Sequence, residues 1–429
     1  MALSTANYKG TRDFYPEDKL IQNYIFEIFR KSSERFGYKQ YDAPMIESLE
    51  LYKAKSGQEI VNDQTYSFVD RGDREVVIRP EMTPSVSRMV AKKRNLLNYP
   101  LRLYSIPNLW RYERSQRGRY REHWQLNVDI FGESGIEAEL ELLQIVDKLF
   151  KNFGANESMY EIHITSRKLV DFLTNNLLGL NSDDSIALVK LLDKKDKLSV
   201  EEFNDNLKQI KGIKNYEKIE EYLNLDLINP TSDFAEHASI NELRSLISEL
   251  NELGVNNIKF DPGIMRGFDY YTDIVFEVKD TDMENNRSMM GGGRYDGLVG
   301  LFGVDNLPVV GFGLGDVTME NFLISHNLMP QLNFQTQLAV LSLTNNKVNV
   351  IKFINSIRYL GINVTSELSD KKVQAKIKWA EKEGVRFIVV VGDNELGNGH
   401  FNLKDLETGN ETAFESIEQL RRLIQNDCD

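Results

Sequence analysis

Five arginines, Arg111, Arg114, Arg117, Arg119 and Arg121, fall within eleven residues of a chain whose formal net charge is −13. A guanidinium is planar, keeps its charge at any working pH, and matches the paired oxygens of a carboxylate or phosphate. Gathered locally against an acidic background, such a run points to a site for phosphate esters, either a nucleotide or an RNA backbone. The surface as a whole is too acidic for non-specific nucleic-acid binding. A glycine-rich phosphate loop of the form G-x-x-x-x-G-K-[ST] is absent. Any nucleotide must therefore be held by arginines on a sheet.

The neighbouring residues supply that sheet. Residues 101–112 and 124–131 have strand character, with the arginine-rich loop containing Gly118 between them. At a period of two, Gln125, Asn127 and Asp129 share one face, while Leu126, Val128 and Ile130 share the other. Arg111 and Glu113 likewise fall on one face, where Arg111 could hold an α-phosphate and Glu113 could accept from an adenine amino group. A solvated sheet face is the competing explanation. It would normally favour Thr, Lys and Glu over Gln, Asn and Asp opposite an arginine.

Helical spacing predicts a helix over residues 19–36, closed by Gly37. Residues 65–69 and 75–79 read as a hairpin, after which Thr83 caps a helix beginning at Pro84. A helix follows at 137–153. From 166 to 257 the chain becomes rich in Leu, Ile, Lys, Glu and Asn, which predicts an inserted helical module. Strands resume at 258, with a clear one at 274–278, a Gly291-Gly292-Gly293 segment, and a glycine-punctuated strand at 309–315. Beyond a linker near 329–336, strands and helices alternate to the end, giving an α/β domain of ordinary size. The basic helix at 373–383 has a solvated face as its plain reading. The expected divisions are 1–165 and 258–330 for a catalytic domain in two parts, 166–257 for the insertion, and 331–429 for the last domain.

At 429 residues the chain exceeds one typical domain, and 41% hydrophobic residues suit packed cores. No apolar run reaches the ~18 residues of a membrane span. The start lacks the pattern of a secretory signal or transit peptide. A single cysteine, Cys428, excludes an internal disulfide framework and a cysteine-based zinc site. A reducing cytoplasm is the expected compartment, with no membrane partner. The five histidines form no metal-ligand spacing, and no protein-held metal is expected.

Residues 110–132, with "RYER" followed by "QRGRYREHWQLNVDIFG", resemble motif 2 of the class II aminoacyl-tRNA synthetases in its histidyl form. "VIRPEMT" (77–83) resembles that family's R-P-E-x-T. "IMRGFDYYTDIVFE" (264–277) is similar to its R-G-x-D-Y-Y signature, and "GGGRYDGL" (291–298) to its second specific motif. "KGTRDFYPED" near the start and "KVQAKIKWAEKEGVRFIVVVGDNEL" near the end also fit. Six collinear matches span nearly the whole chain.

The resemblance implies an α+β fold: an antiparallel-sheet catalytic domain, the inserted helical module, and a C-terminal α/β anticodon-binding domain. It implies an ATP-dependent ligase that activates histidine as its adenylate and transfers it to the 3' end of tRNA(His), with Mg2+ accompanying ATP. Glu81, Thr83 and Gln125 match residues that bind the substrate's α-amino group. Asp129 and Tyr271 match those that address its imidazole, with Tyr295 in the pocket wall. Arg111 and Arg266 match arginines flanking the α-phosphate. Arg119 would meet the outer phosphates, Glu113 the adenine, and Gln116 and Arg117 the tRNA acceptor end. The segment containing Pro44 resembles motif 1, which implies a homodimer. The basic helix would then offer anticodon contacts.

One departure stands out. The third class motif normally ends in an arginine that clamps the γ-phosphate, and Thr318 stands there. Either another cation, such as Arg119 or Arg294, takes the load, or the chain is an inactive histidine-sensing regulator. The regulatory paralogue lacks the C-terminal domain and degrades the histidyl signature, and this chain does neither. A smaller departure is Asp129, where many relatives carry the longer Glu.

Overall fold

The computed structural model describes residues 3–53, 64–113, 118–195, 198–230, 233–265, 270–282, 285 and 288–426. Close contacts divide the chain into two units, Met1–Met329 and Pro330–Asp429.

The first unit carries β1 (Lys39–Gln40), β2 (Ile46–Ser48), β3 (Tyr66–Val69), β4 (Glu75–Ile78), β5 (Leu101–Ser105) and β6 (Asn108–Trp110). These are followed by β7 (Glu122–Phe131), β8 (Tyr160–Ser166), β9 (Ile258–Phe260), β10 (Ile274–Asp280), β11 (Ser288–Arg294) and β12 (Val309–Gly315). Among the described residues the main sheet runs β1-β5-β7-β12-β11-β10-β8-β9, with β6 on β7. It is antiparallel except at its two edges, where β1 joins β5 and β9 joins β8 in parallel. A small antiparallel sheet, β2-β4-β3, stands apart from it.

Alternation along β7 decides what each face of the main sheet does. Leu126, Val128 and Ile130 are buried in one core with Phe29, Leu142, Phe150 and Phe322 from helices Pro16–Glu34, Glu137–Asn152 and Asp316–Ser325. Each such side chain contributes roughly 1.5–3 kcal/mol by leaving water. The other face is left to the polar residues. Residues 101–112 form not one strand but two, because Pro107 has no N–H to give a ladder. Its carbonyl instead accepts from the backbone N–H of Gln125 at 3.2 Å. The helix predicted from Pro84 starts at Thr83, with Met82 at the cap position and no side-chain capping bond from it.

Between β8 and β9 the chain is helical, with helices Arg167–Asp171, Ser182–Leu192, Val200–Gln209, Glu217–Leu223 and Ala238–Glu252 and a π-helical turn at Phe172–Leu177. Their starts carry caps that the sequence spells out. Asn181 accepts from the N–H of Asp184, and Ser199 and Glu202 form a reciprocal capping box. Leu188, Phe203, Tyr222 and Leu243 join the same core as the sheet residue Ile164.

The second unit holds β13 (Leu338–Ser342), β14 (Val364–Glu367), β15 (Phe387–Val391), β16 (Phe401–Asp405) and β17 (Glu411–Phe414), in the order β14-β13-β15-β16-β17. The first three strands are parallel and the last two antiparallel. Alternation again separates two cores. Leu338, Val340 and Val389 face one side, and Ala339, Leu341 and Ile388 the other. The basic helix, Val373–Lys382, is not wholly solvated. Lys376 is buried, donates to the carbonyls of Ser342 and Ser369, and pairs with Glu367 at 3.2 Å. No helix among the described residues is long and apolar enough to cross a membrane.

Candidate active site

The polar face of β7 opens into a cavity. Gln125, Asn127 and Asp129 line it together with Glu81, Thr83, Arg111, Tyr270, Tyr271 and Tyr295. Its floor is glycine. In the sheet register Asp129 lies opposite Gly311, which lies opposite Gly293, and Asn127 lies opposite Gly313, which lies opposite Gly291. Cross-strand partners point to the same face, so four positions that would fill the cavity carry no side chain.

The close approaches show why glycine is needed. A Cβ at Gly311 would sit 2.0 Å from Asp129 Oδ1 and 2.9 Å from the Val128 carbonyl. One at Gly313 would fall 2.8 Å from the Gln125 side-chain amide. Gly311→Ala should therefore destabilise the fold by about 1–3 kcal/mol while displacing the Asp129 carboxylate. Denaturation midpoints and the affinity for the cavity's ligand measure the two effects; an unchanged midpoint together with unchanged affinity would show that the floor is not closed.

Asp129 is a strongly perturbed acid of the cavity. It is 4% exposed, and burial pushes its carboxyl up to about 7. Tyr295 opposes that rise by donating its phenolic O–H to Oδ1 at 2.5 Å. Tyr295 thus orients the acid instead of serving only as wall. Burial and the Asp129 charge hold its own phenol well above the ordinary range. At the other end, Tyr270 donates to Glu81 Oε2 at 3.2 Å. Glu81 is buried, and Thr83 follows it at the start of the helix Thr83–Lys92. Arg111 spends its Nε on the Pro80 carbonyl at 2.9 Å, which fixes the guanidinium at the rim.

Glu113 and Arg119 are paired with one another, Nη1 to Oε2 at 3.2 Å, with the arginine largely exposed. Arg121, one of the five clustered arginines, is committed elsewhere. It is buried over the Tyr112 ring at 4.0 Å and donates to the Glu113 carbonyl and the Tyr8 hydroxyl. Gln116, Arg117 and Arg266 lie outside the described residues.

Two residues, Tyr270 in the cavity lining and His123 on the same strand as Gln125, carry no assigned role from the sequence. Tyr270 reads in isolation as a core aromatic, although its place beside Tyr271 in the signature was a signal. His123 falls on the same strand face as Gln125, two residues before it. Its Nδ1 is buried with no hydrogen-bond partner among the described residues, and burial, reinforced by Arg111 and Arg12, lowers its pKa to about 3. It is neutral across the working range.

Residues 10–316 match the family model described as Histidyl-tRNA synthetase, and residues 337–427 the one described as Anticodon binding domain. The chain is 42% identical over 429 residues to the histidine–tRNA ligase of Leptospira biflexa, covering 98% of each. The chain belongs to the histidyl-tRNA synthetase family. Its fold matches the crystal structure of histidyl-tRNA synthetase from Nostoc sp. with a TM-score of 0.80 at 22% identity, covering 98% of this chain and 100% of that one. The apo histidyl-tRNA synthetase of S. aureus matches with a TM-score of 0.72 at 25% identity, covering 99% of each.

Within this histidyl-tRNA synthetase fold, the departure at position 318 takes physical form. The Thr318 hydroxyl donates back to the Gly315 and Met289 carbonyls at 2.9 and 3.0 Å and brings no charge. Arg294 does not replace the missing arginine. It points away from the face of Gly293, is buried, and grips Glu139 through two bonds of 2.8 and 2.6 Å. Its remaining donors reach the Glu133 and Gly135 carbonyls. A guanidinium so committed has nothing to offer a phosphate. Of the two cations considered, Arg119 remains. On the helix that carries Thr318, Arg12 binds Asp316 at 2.7 Å and Glu320 at 3.5 Å.

Proposed function

We propose that this cavity activates histidine with ATP and passes it to tRNA(His). The observation that carries the reading is Asp129: a buried acid in a glycine-floored pocket, held by Tyr295, with Arg111 in the same lining. An imidazole needs a hydrogen-bond acceptor for its ring N–H, and Asp129 with Tyr271 supplies that end. Glu81, Thr83 and Gln125 take the α-amino group. The carboxylate then lies toward Arg111.

There the histidine carboxylate attacks the α-phosphorus of ATP, forming a new O–P bond as the bond to pyrophosphate breaks. Negative charge grows on the non-bridging oxygens, and the guanidinium of Arg111, fixed on the Pro80 carbonyl, stabilises it together with that of Arg266. ATP enters with magnesium as its counter-ion. Glu113 accepts from the adenine amino group, and Arg119 leaves Glu113 to meet the outer phosphates. In the second step the terminal ribose hydroxyl of tRNA attacks the activated carbonyl and AMP departs, with Gln116 and Arg117 at the acceptor end. Strict polar complementarity favours histidine, because an isostere lacking a ring nitrogen strands the site's own buried groups.

The catalytic halves 1–165 and 258–330, the insertion 166–257 and the anticodon-binding part 331–429 act together in a cytoplasmic homodimer. The exposed Met45 and Ile46 beside Pro44 support a dimer face there. Histidine-dependent ATP–pyrophosphate exchange tests the reading, together with charging of tRNA(His). Exchange that requires histidine is the expected result. Histidine binding without exchange would replace the enzyme with a histidine-sensing regulator.

A further inference from the structure

Arg121 sits at the centre of an aromatic cluster whose outer rings have no covering partner among the described residues. Its guanidinium lies 4.0 Å over the Tyr112 ring and 5.7 Å from the Tyr8 centroid, with a 3.2 Å bond to the Tyr8 hydroxyl. Tyr66 contacts both rings edge-on, with centroids 6.5 Å from Tyr8 and 5.4 Å from Tyr112, and also meets Trp110 at 5.8 Å. The cluster ties the N-terminal segment to the sheet, as the 2.7 Å bond from the Arg121 N–H to the Gly10 carbonyl also does. Tethering alone does not explain why Tyr8 and Tyr112 leave 54% and 50% of their surface in water.

The position of the cluster suggests an occupant. Tyr112 lies in the chain between Arg111, which lines the cavity, and Glu113, whose carbonyl accepts from the Arg121 that braces the ring, so the cluster is tied to a cavity-lining segment. Half-exposed aromatic faces around Arg121, with the exposed Lys9 and the Glu113-paired Arg119 close by in the chain, suit unstacked bases and their phosphates.

We propose that Tyr112 and Tyr8, braced by Arg121, form a stacking platform for the unpaired 3' nucleotides of the tRNA as they enter the cavity. This rests on the reading of the cavity as an aminoacylation site, but it makes its own claim about RNA binding. Stacking is indifferent to base identity and needs the ring, not the hydroxyl.

The test compares Tyr112→Ala, Tyr8→Ala and Tyr112→Phe in the full-length enzyme. Binding is measured with a tRNA(His) transcript that either keeps or lacks its unpaired 3' nucleotides, without histidine or ATP. The unaltered protein should bind the full transcript about tenfold more tightly than the shortened one. Tyr112→Ala should erase most of that difference, and Tyr112→Phe should keep it. Charging should fall about tenfold in Tyr112→Ala, with ATP–pyrophosphate exchange within twofold of the parent. A parallel fall in exchange would overturn the platform in favour of a structural role. So would Tyr112→Phe behaving like Tyr112→Ala, or a shift from dimer to monomer on gel filtration in Tyr112→Ala, which would make the rings a subunit contact. Because binding is read without chemistry, a protein that fails to exchange would sink the ligase reading and leave this one decided on its own data.

Discussion

Arg111→Ala lowers the rate of histidine-dependent ATP–pyrophosphate exchange about 10²–10³-fold, equivalent to roughly 3–4 kcal/mol of transition-state stabilisation. The size follows from preorganisation. Bonding of Nε to the Pro80 carbonyl fixes the plane of the guanidinium before any ligand arrives. In the proposed reaction its terminal nitrogens meet the α-phosphate oxygens without reorganising as charge builds there. The interaction strengthens from ground state to transition state, so the loss appears mainly in kcat, with a modest change in the KM for ATP. Arg111→Lys recovers only a small part, since an ammonium cannot hold both the Pro80 carbonyl and two phosphate oxygens in one plane. Pre-steady-state measurement of adenylate formation separates the cases. A rise in KM with kcat unchanged would assign Arg111 to uniform ATP binding and not to the chemistry.

Much of this arrangement was legible in the sequence, for a physical reason. Period two along residues 125–130 places Gln125, Asn127 and Asp129 on one face, and the sheet buries that face in a cavity rather than exposing it. The glycines that complete the floor were visible only as a turn-like triplet and a punctuated strand. Their meaning depends on β11 and β12 lying beside β7, and register between distant strands is a property of the closed sheet. Family membership, carried by six collinear motifs, was readable because each motif keeps its order and spacing whatever the intervening helices do.

What escaped the sequence has one cause: a charged residue's partner is seldom nearby in the chain. Arg294 looked available for phosphate until the fold placed Glu139 against it from a helix 155 residues away. Arg121 belonged by spacing to a phosphate-binding run, yet the fold buries it among tyrosines from three separate segments. Thr83 was expected both as a helix cap and in the substrate site; the helix begins on it, and it lines the cavity. Tyr295 was expected only as wall, because nothing in the chain reveals that its hydroxyl reaches Asp129, 166 residues earlier.

That last contact leads to the second large effect. Asp129→Asn weakens histidine use by about 2–5 kcal/mol, or roughly 30- to 5,000-fold in kcat/KM for histidine, the usual cost of truncating one member of a buried charged pair. The same change makes the empty enzyme more stable. In the unfolded chain the carboxyl titrates near 3.8, and in the fold burial raises it to about 7. Below pH 3.8 both states are protonated and the acid costs nothing. Between these values the unfolded chain has released a proton that the folded one retains, so stability falls as pH rises, and above about 7 the full penalty of roughly 4 kcal/mol applies. An amide never ionises. Asp129→Asn should therefore exceed the parent by a few kcal/mol in denaturant unfolding at pH 8 without histidine, and by roughly half as much at pH 5.5. Adding histidine narrows the gap, because the ligand binds the parent's folded state far more tightly. An asparagine variant that is less stable than the parent at pH 8, or that uses histidine as well as the parent does, would mean that the buried acid is not what the pocket is built to present. If both effects appear, Asp129 is a group whose burial costs stability and is retained for recognition.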